Sequence, residues 1–276
     1  MFRKKKPRAR FFSLHPGVHT LHPITKAEAL DRDWVKTERE DYKDRLGKCP
    51  FNKLVQGEQH FPNSIGRCPA INSIMRTGYI VYAPADFKVH TNGDGHTILF
   101  TTTPFAPPSS DYVVLHETDV TKWLMDSSKD TTIDQVVKIN TPWRVQADDD
   151  VVFLQTKVPF VNETRFTAVS GVLDPRTAYE VNVQLFWHVM EGDVTVKAGT
   201  PLCCYVPISR RMLEDLDMSI DVATPTDYRL EEEFVFTAYN QFPENVNVTQ
   251  RQIKTNKILK KYWNEGRVSP VFCTYS

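Results

Sequence analysis

The sequence predicts a mainly β protein, a jelly-roll-like β-sandwich with peripheral N-terminal and C-terminal helices. Two observations predict it. Between Ile139 and Ile208, short β-branched and aromatic runs alternate with proline, aspartate and glycine at nearly regular intervals. The runs Val151–Thr156, Phe166–Ser170, Val181–His188 and Leu202–Val206 have the length and turn-bounded composition of strands packed in two layers. In addition, 18 prolines outnumber 11 glycines, which suits many turns and sheet edges because proline is excluded from the middle of a paired strand. At 276 residues and 41% hydrophobic content, the chain can bury a full core in one large domain with appendages. The expected organisation is a basic arm and irregular lead-in over 1–24, a helical and loop appendage over 25–78, the sandwich over 79–240, and a helix and tail over 241–276.

Each element has its own local reason. Phe11-Phe12 and the stretch from His15 to Pro23 form an irregular, proline-bounded lead-in. Thr25-Lys-Ala-Glu28 has the capping-box pattern, so a helix is expected from about Lys26 to Leu46, with Ala27, Leu30 and Trp34 on its apolar stripe and Gly47 as its left-handed cap. Cys49 to Pro69 reads as loop and Ala70 to Arg76 as a helical turn ending before Gly78. Tyr79–Tyr82 is a strand. Asp86–His90 and His96–Thr101 flank Asn92-Gly-Asp-Gly95, whose residues tolerate the positive φ angles of a hairpin turn. Phe105–Ser110 is a proline-rich loop, Tyr112–Glu117 a strand, and Trp123–Thr132 a polar loop or short helix. Beyond the main block, Arg210–Met218 is helical or irregular, Phe234–Tyr239 a strand, and Arg251–Trp263 the last helix. Trp143, Phe153, Leu185, Trp187 and Val206 are expected in the core.

Charge and cysteine usage narrow the function classes. With 34 basic and 34 acidic residues there is no global field to hold a polyanion. Six of the first ten residues are cations: Arg3, Lys4, Lys5, Lys6, Arg8 and Arg10. In the last helix, Lys254, Lys257 and Lys261 share a face at spacings of three and four. Both basic ends are expected to bind a partner, a virion or host protein first and nucleic acid second, because no aromatic platform interleaves with the cations. Homo-oligomerisation is left open. Cys49, Cys68, Cys203, Cys204 and Cys273 make an odd total without a Cys-x-x-Cys pair, so five free thiols in a reducing compartment are expected. No signal-peptide-like or membrane-length apolar run is present, which places the expected location in a host cytoplasm or a virion.

Several constellations carry potential chemistry. His116, Glu117, Asp119 and His188 resemble the ligand set of metal cupins, and a divalent metal is the one cofactor the residues leave open. Glu117, however, adjoins His116 and would point to the opposite face of a strand. Cys49, His60 and Cys68, with His15, His19 or His22, offer zinc-type ligands at spacings that match no tight knuckle. Cys203 and Cys204 alternate on a strand, so one should be buried and the other outward-facing. Ser170-Gly-Val-Leu-Asp-Pro175, followed by Val196-Lys-Ala-Gly-Thr-Pro-Leu-Cys-Cys-Tyr205, is similar to the order of motifs in the dUTPase-like β-clip family. That similarity would make Asp174 the residue orienting an attacking water, although the family's uridine hairpin and Arg-Ser-Gly loop are absent. An ordinary Asp-Pro turn explains the same letters. Asp148-Asp-Asp150 could bind calcium with help from another loop, and Glu231-Glu-Glu233 reads as a solvated acidic run.

Across nearly the whole chain, Phe11-Phe-Ser-Leu-His-Pro-Gly-Val18, Cys68-Pro-Ala-Ile71, Thr77-Gly-Tyr-Ile-Val-Tyr-Ala-Pro-Ala-Asp-Phe87, Asn140-Thr-Pro-Trp-Arg-Val145, Leu185-Phe-Trp-His188 and Lys197-Ala-Gly-Thr-Pro-Leu-Cys203 resemble an uncharacterised family of marine tailed phages, cyanophages especially, with distant bacterial relatives. The resemblance implies origin and carries over no catalytic residues. The expected function is that of a non-enzymatic phage protein, virion-associated or host-interacting, that binds through a β-sandwich platform. The alternative is a small-molecule enzyme on a cupin-like or β-clip scaffold.

Overall fold

Period-two alternation of apolar and polar residues builds the sheets, as in Phe87-Lys-Val-His-Thr-Asn92, where every first residue is buried and every second exposed. The computed structural model describes residues 6–48 except 14 and 16, residues 65, 68–102, 112–116, 121, 124 and 131–218, and the single positions 220, 222, 225 and 229. The chain divides into two compact units, one of residues 1–49 with 61–215 and another of 50–60 with 216–276. Nearly all described residues belong to the first.

In chain order the described strands are β1 (Ala9–Ser13), β2 (Thr25–Lys26), β3 (Tyr79–Tyr82), β4 (Phe87–Asn92), β5 (Ile98–Thr102), β6 (Val113–His116), β7 (Val136–Ala147), β8 (Val151–Thr156), β9 (Phe166–Ala168), β10 (Gly171–Leu173), β11 (Glu180–Trp187), β12 (Glu191–Val196) and β13 (Pro201–Ser209). The helices are α1 (Val18–Leu21), α2 (Asp33–Lys48), α3 (Pro69–Arg76) and α4 (Arg210–Glu214). One five-stranded sheet runs β1-β7-β11-β9, with β6 also on β7. Its register places β6 beside Val136–Ile139 and β1 beside Trp143–Ala147, so both line the edge of β7 opposite β11. The second sheet runs β10-β8-β13-β3-β2, and the third β12-β4-β5. Pro142 is tolerated inside β7 because the β7–β11 register shifts there, between the pairs Asn140–Asn182 and Arg144–Glu180.

The first two sheets pack as a sandwich. Val137, Val145, Val183 and Leu185 of the first share one core with Phe153, Cys203 and Tyr205 of the second. Phe11 crosses between them, its ring 5.5 Å from Tyr79 and 5.4 Å from Phe153. The Tyr205 hydroxyl lies 2.7 Å from both the Asn182 carbonyl and Gln155 Oε1, which satisfies the polar end of a ring buried among hydrocarbons. Burying aliphatic and aromatic side chains of this size contributes about 1.5–3 kcal/mol each.

The structure is mainly β, as the sequence predicts, and the hairpin about Asn92-Gly-Asp-Gly95 forms as expected. Gly93 and Gly95 have φ of 88° and 77°, while the Asp94 carboxylate accepts hydrogen bonds from His96 N–H at 2.8 Å and from Thr97 N–H and Oγ1 at 2.6 Å each. Trp143, Phe153, Leu185 and Trp187 are core residues. Val206 is only partly buried and packs on a smaller cluster of Ala27, Ile80, Val158 and Cys204.

Other expectations need correction. Phe11 and Phe12 are not an irregular lead-in but part of β1, because backbone pairing to the free edge of β7 satisfies groups that a loop would leave to water. No helix starts at Lys26. Thr25 and Lys26 pair with β3, and the Thr25 hydroxyl meets Tyr82 Oη at 2.8 Å instead of capping. A 3-10 turn over Ala27–Ala29 follows, α2 begins only at Asp33, and Gly47 lies inside the helix rather than after it. The Arg32 guanidinium ties this appendage to the sandwich. It is buried and donates to the carbonyls of Pro159, Ala27 and Leu30 at 3.1–3.2 Å and of Met75 at 3.5 Å. The expected loop at Phe105–Ser110, strand at Phe234–Tyr239 and helix at Arg251–Trp263 lie outside the described residues.

Candidate functional site

The residues singled out for chemistry are placed apart. His116 pairs with Val136 on one edge of β7, while Phe186, two residues before His188, pairs with Val136 on the other. Two strand spacings, about 9–10 Å, therefore separate the two lines of chain. Both ring nitrogens of His188 are engaged, Nδ1 at 3.0 Å from Thr132 Oγ1 and Nε2 at 2.8 Å from Thr167 Oγ1. Burial holds this imidazole below the ordinary histidine pKa, so it favours the neutral form. Glu117 and Asp119 lie outside the described residues, as do Cys49 and His60. Among the described residues no group of three or more His, Cys, Asp or Glu side chains could hold a metal ion. Cys68 is a free, partly buried thiol before α3. The His22 ring packs near Gly199, whose φ is 83° and where a Cβ would come within 3.1 Å of the ring. His15 is partly buried.

Cys203 and Cys204 do point to opposite faces, yet neither faces outward: Cys203 lies in the sandwich core and Cys204 in the cluster with Ala27 and Ile80. The appendage covers the second face. Burial pushes the Cys203 thiol well above its usual pKa and that of Cys204 to about 11, so both stay protonated and unreactive near neutrality.

Asp174 is held in a fork. Arg210 Nη1 and Nη2 each donate to one of its oxygens at 2.7 Å, and Arg176 N–H adds a bond of 3.0 Å. Its carbonyl accepts from Thr177 and Ala178 N–H, closing the Asp-Pro turn. The Arg210 hydrogen bonds hold this carboxyl well below the usual carboxylate range. A group with a depressed folded pKa contributes stability that is full above its unfolded pKa, about 3.9, and is lost as pH falls through the folded value. Asp174→Asn is therefore expected to lower the urea midpoint at pH 7 and to flatten the acid limb of the stability profile. A variant whose profile between pH 2 and 7 overlays the parent's would show that the fork contributes nothing.

The other acidic cluster is structural as well. Asp148 Oδ2 accepts Arg8 N–H at 2.8 Å, and the Arg8 carbonyl accepts Asp148 N–H at 2.9 Å. Asp150 accepts Ser209 Oγ at 3.0 and 3.1 Å and Arg211 N–H at 3.3 Å. These bonds tie the β7–β8 turn to β1 and to the end of β13.

A different group of residues does assemble. Strand β1 sets Arg10 opposite Gln146 and Phe12 opposite Arg144, and β7 sets Arg144 opposite Glu180, so strand alternation puts Arg10, Phe12, Arg144 and Glu180 on one face. The Arg10 guanidinium lies 5.0 Å from the Phe12 ring centroid and that of Arg144 lies 5.9 Å from Tyr179, which is 59% exposed. Arg144 also pairs with Glu180 at 3.0 Å. Arg8 and Arg10 are exposed. Arg3, Lys4 and Lys5, together with Lys254, Lys257 and Lys261, lie outside the described residues. Phe12, Arg144 and Tyr179 are additions to the expected partner-binding set. The period-two spacing Arg8-x-Arg10-x-Phe12 is the signal that could have found the first.

The fold and these side chains define an antiparallel β-sandwich protein with a cation-bearing strand added at one edge. A scan against protein-family models finds no match to the chain, and a search of curated proteins finds none either. No described helix is long and apolar enough to cross a membrane.

Proposed function

We propose that the protein is a non-enzymatic component of a tailed phage, virion-associated or host-interacting, that binds an acidic protein surface through the β1 edge of its sandwich. One observation carries this reading: Arg10 lies on β1, paired in register to β7, and Arg8 just before it is hydrogen-bonded through its N–H and carbonyl to Asp148, so the backbone of both is ordered before any partner arrives. Preorganised cations lose less entropy on binding than cations on a free tail, and the face they share with Phe12 adds apolar contact. The phage assignment rests on the resemblance of the Phe11–Val18, Thr77–Phe87 and Lys197–Cys203 segments.

A deletion up to Phe11 would also strip Ala9 and Arg10 from β7, so the test uses substitutions that keep the pairing. The chain with Arg3, Lys4, Lys5, Lys6, Arg8 and Arg10 all changed to Gln is compared with the parent for binding to polyglutamate and to a single-stranded oligonucleotide, at low and moderate salt. The parent is expected to bind polyglutamate in a salt-sensitive way and the variant at least tenfold more weakly. Equal binding by both chains would overturn the reading. Preference for the oligonucleotide would replace the protein partner with nucleic acid.

A further inference from the structure

We propose that a cleft beside the β8–β9 connection is a binding site for an apolar monocarboxylate, a small molecule with a hydrocarbon body and one anionic head. The site is separate from the cation-bearing edge and does not depend on that reading. Residues after β8 leave the sheet at Lys157 and, with α3 and the start of β13, wall a cleft of about 580 Å³. That volume lies within the range of small-molecule pockets, roughly 300–1,000 Å³. Its walls are mainly hydrocarbon, with Ile74, Val158, Phe160, Val161, Phe166 and Leu202 among the residues that line it. Water there has few polar partners, so an apolar body would displace it favourably.

The wall is held in a conformation the chain would not otherwise choose. Phe160 has φ of 55° and is the one described non-glycine residue with a positive value. A bulky residue persists there only when its surroundings over-determine it. They do so here: Trp34 Nε1 donates to the Phe160 carbonyl at 2.9 Å, the Trp34 ring meets the Phe160 ring edge-on at 6.3 Å, and Arg32 Nε donates to the preceding Pro159 carbonyl at 3.1 Å. The consequence is a side chain at the cleft that remains 44% exposed instead of folding into the core.

Charge selects the ligand's head. Lys157 and Glu163 are the charged residues of the lining. The Glu163 carboxylate is cancelled by Arg165, whose N–H and Nε reach Oε1 at 2.9 Å and whose Nη2 reaches Oε2 at 2.6 Å. The exposed Lys157 ammonium has no carboxylate partner among the described residues, so its field is the one left uncompensated at the rim. A phosphate would call for an arginine fork or several converging N–H groups, whereas one ammonium matches one carboxylate.

The test uses the full chain and two probes of equal length, decanoate and decanol, with binding read by titration calorimetry. Decanoate is expected to bind saturably. Lys157→Gln is expected to weaken decanoate at least tenfold while changing decanol less than twofold. Ile74→Trp, at a position 39% exposed on α3 where added bulk costs the fold little, is expected to weaken both probes at least tenfold. Circular dichroism and the urea midpoint check that each variant folds. Absence of saturable decanoate binding would overturn the proposal, as would binding indifferent to Ile74→Trp. Equal affinity for decanol and decanoate would overturn the choice of a carboxylate. Concentration-dependent dimerisation abolished by Ile74→Trp would assign the cleft to a second copy of the chain and overturn the small-molecule ligand.

Discussion

Trp187→Ala is expected to cost about 3–5 kcal/mol of folding stability, the range for removing a large buried aromatic. Trp187 is fully buried, and its ring stacks on Phe166 at 6.1 Å and 19°. The two residues are also register partners between β11 and β9, so the void would open where one sheet is held together at its edge. Since whole-domain stabilities run to about 5–15 kcal/mol, a loss of this size should move the urea midpoint conspicuously. Trp187→Phe should recover more than half of it. The indole N–H is buried without an acceptor among the described residues, and replacing it by carbon removes that penalty. An alanine variant with an unchanged midpoint would show that the block is not the core.

Gly78→Ala is expected to destabilise by about 2–5 kcal/mol, combining backbone strain with overpacking. Gly78 has φ of 94°, and a Cβ there would lie 2.7 Å from the Tyr205 carbonyl oxygen and 2.8 Å from Cys204 Sγ. The oxygen belongs to β13, which pairs with β3 through Tyr205–Tyr79, so it cannot withdraw without loosening the second sheet. The Gly78 carbonyl also accepts Ala27 N–H at 2.9 Å, linking the same point to the appendage. Gly171→Ala is the control. It has no positive φ and nothing within 4 Å of its would-be Cβ, so its expected effect stays within about 0.5 kcal/mol. Urea denaturation of both variants decides the matter, and equal midpoints would refute the close approach.

The sequence by itself determined what depends on local period and local chemistry. Val181-Asn-Val-Gln-Leu-Phe-Trp187 alternates, and its odd residues are buried. Asn92-Gly-Asp-Gly95 supplies the two positive φ angles its hairpin needs, and Asp174-Pro175 forms the turn its letters suggest. Tertiary structure decided what depends on which partner arrives. Thr25 carries a capping signature, but pairing of Thr25-Lys26 with β3 captures the same hydroxyl and backbone. Cys204 has the outward parity of its strand, and only the packing of Ala27 over that face makes it buried. Phe11 and the Arg10 beside it became part of a strand because β7 extends beyond β6 and leaves an edge that a nearby chain can satisfy. Asp174 met Arg210 from 36 positions away, which turned a candidate water-orienting carboxylate into half of an ion pair. Alternation and turn chemistry act over a few residues and survive in any context. Edge pairing, face covering and the neutralisation of a charge are contacts between distant segments, and no window of the sequence contains both sides of them.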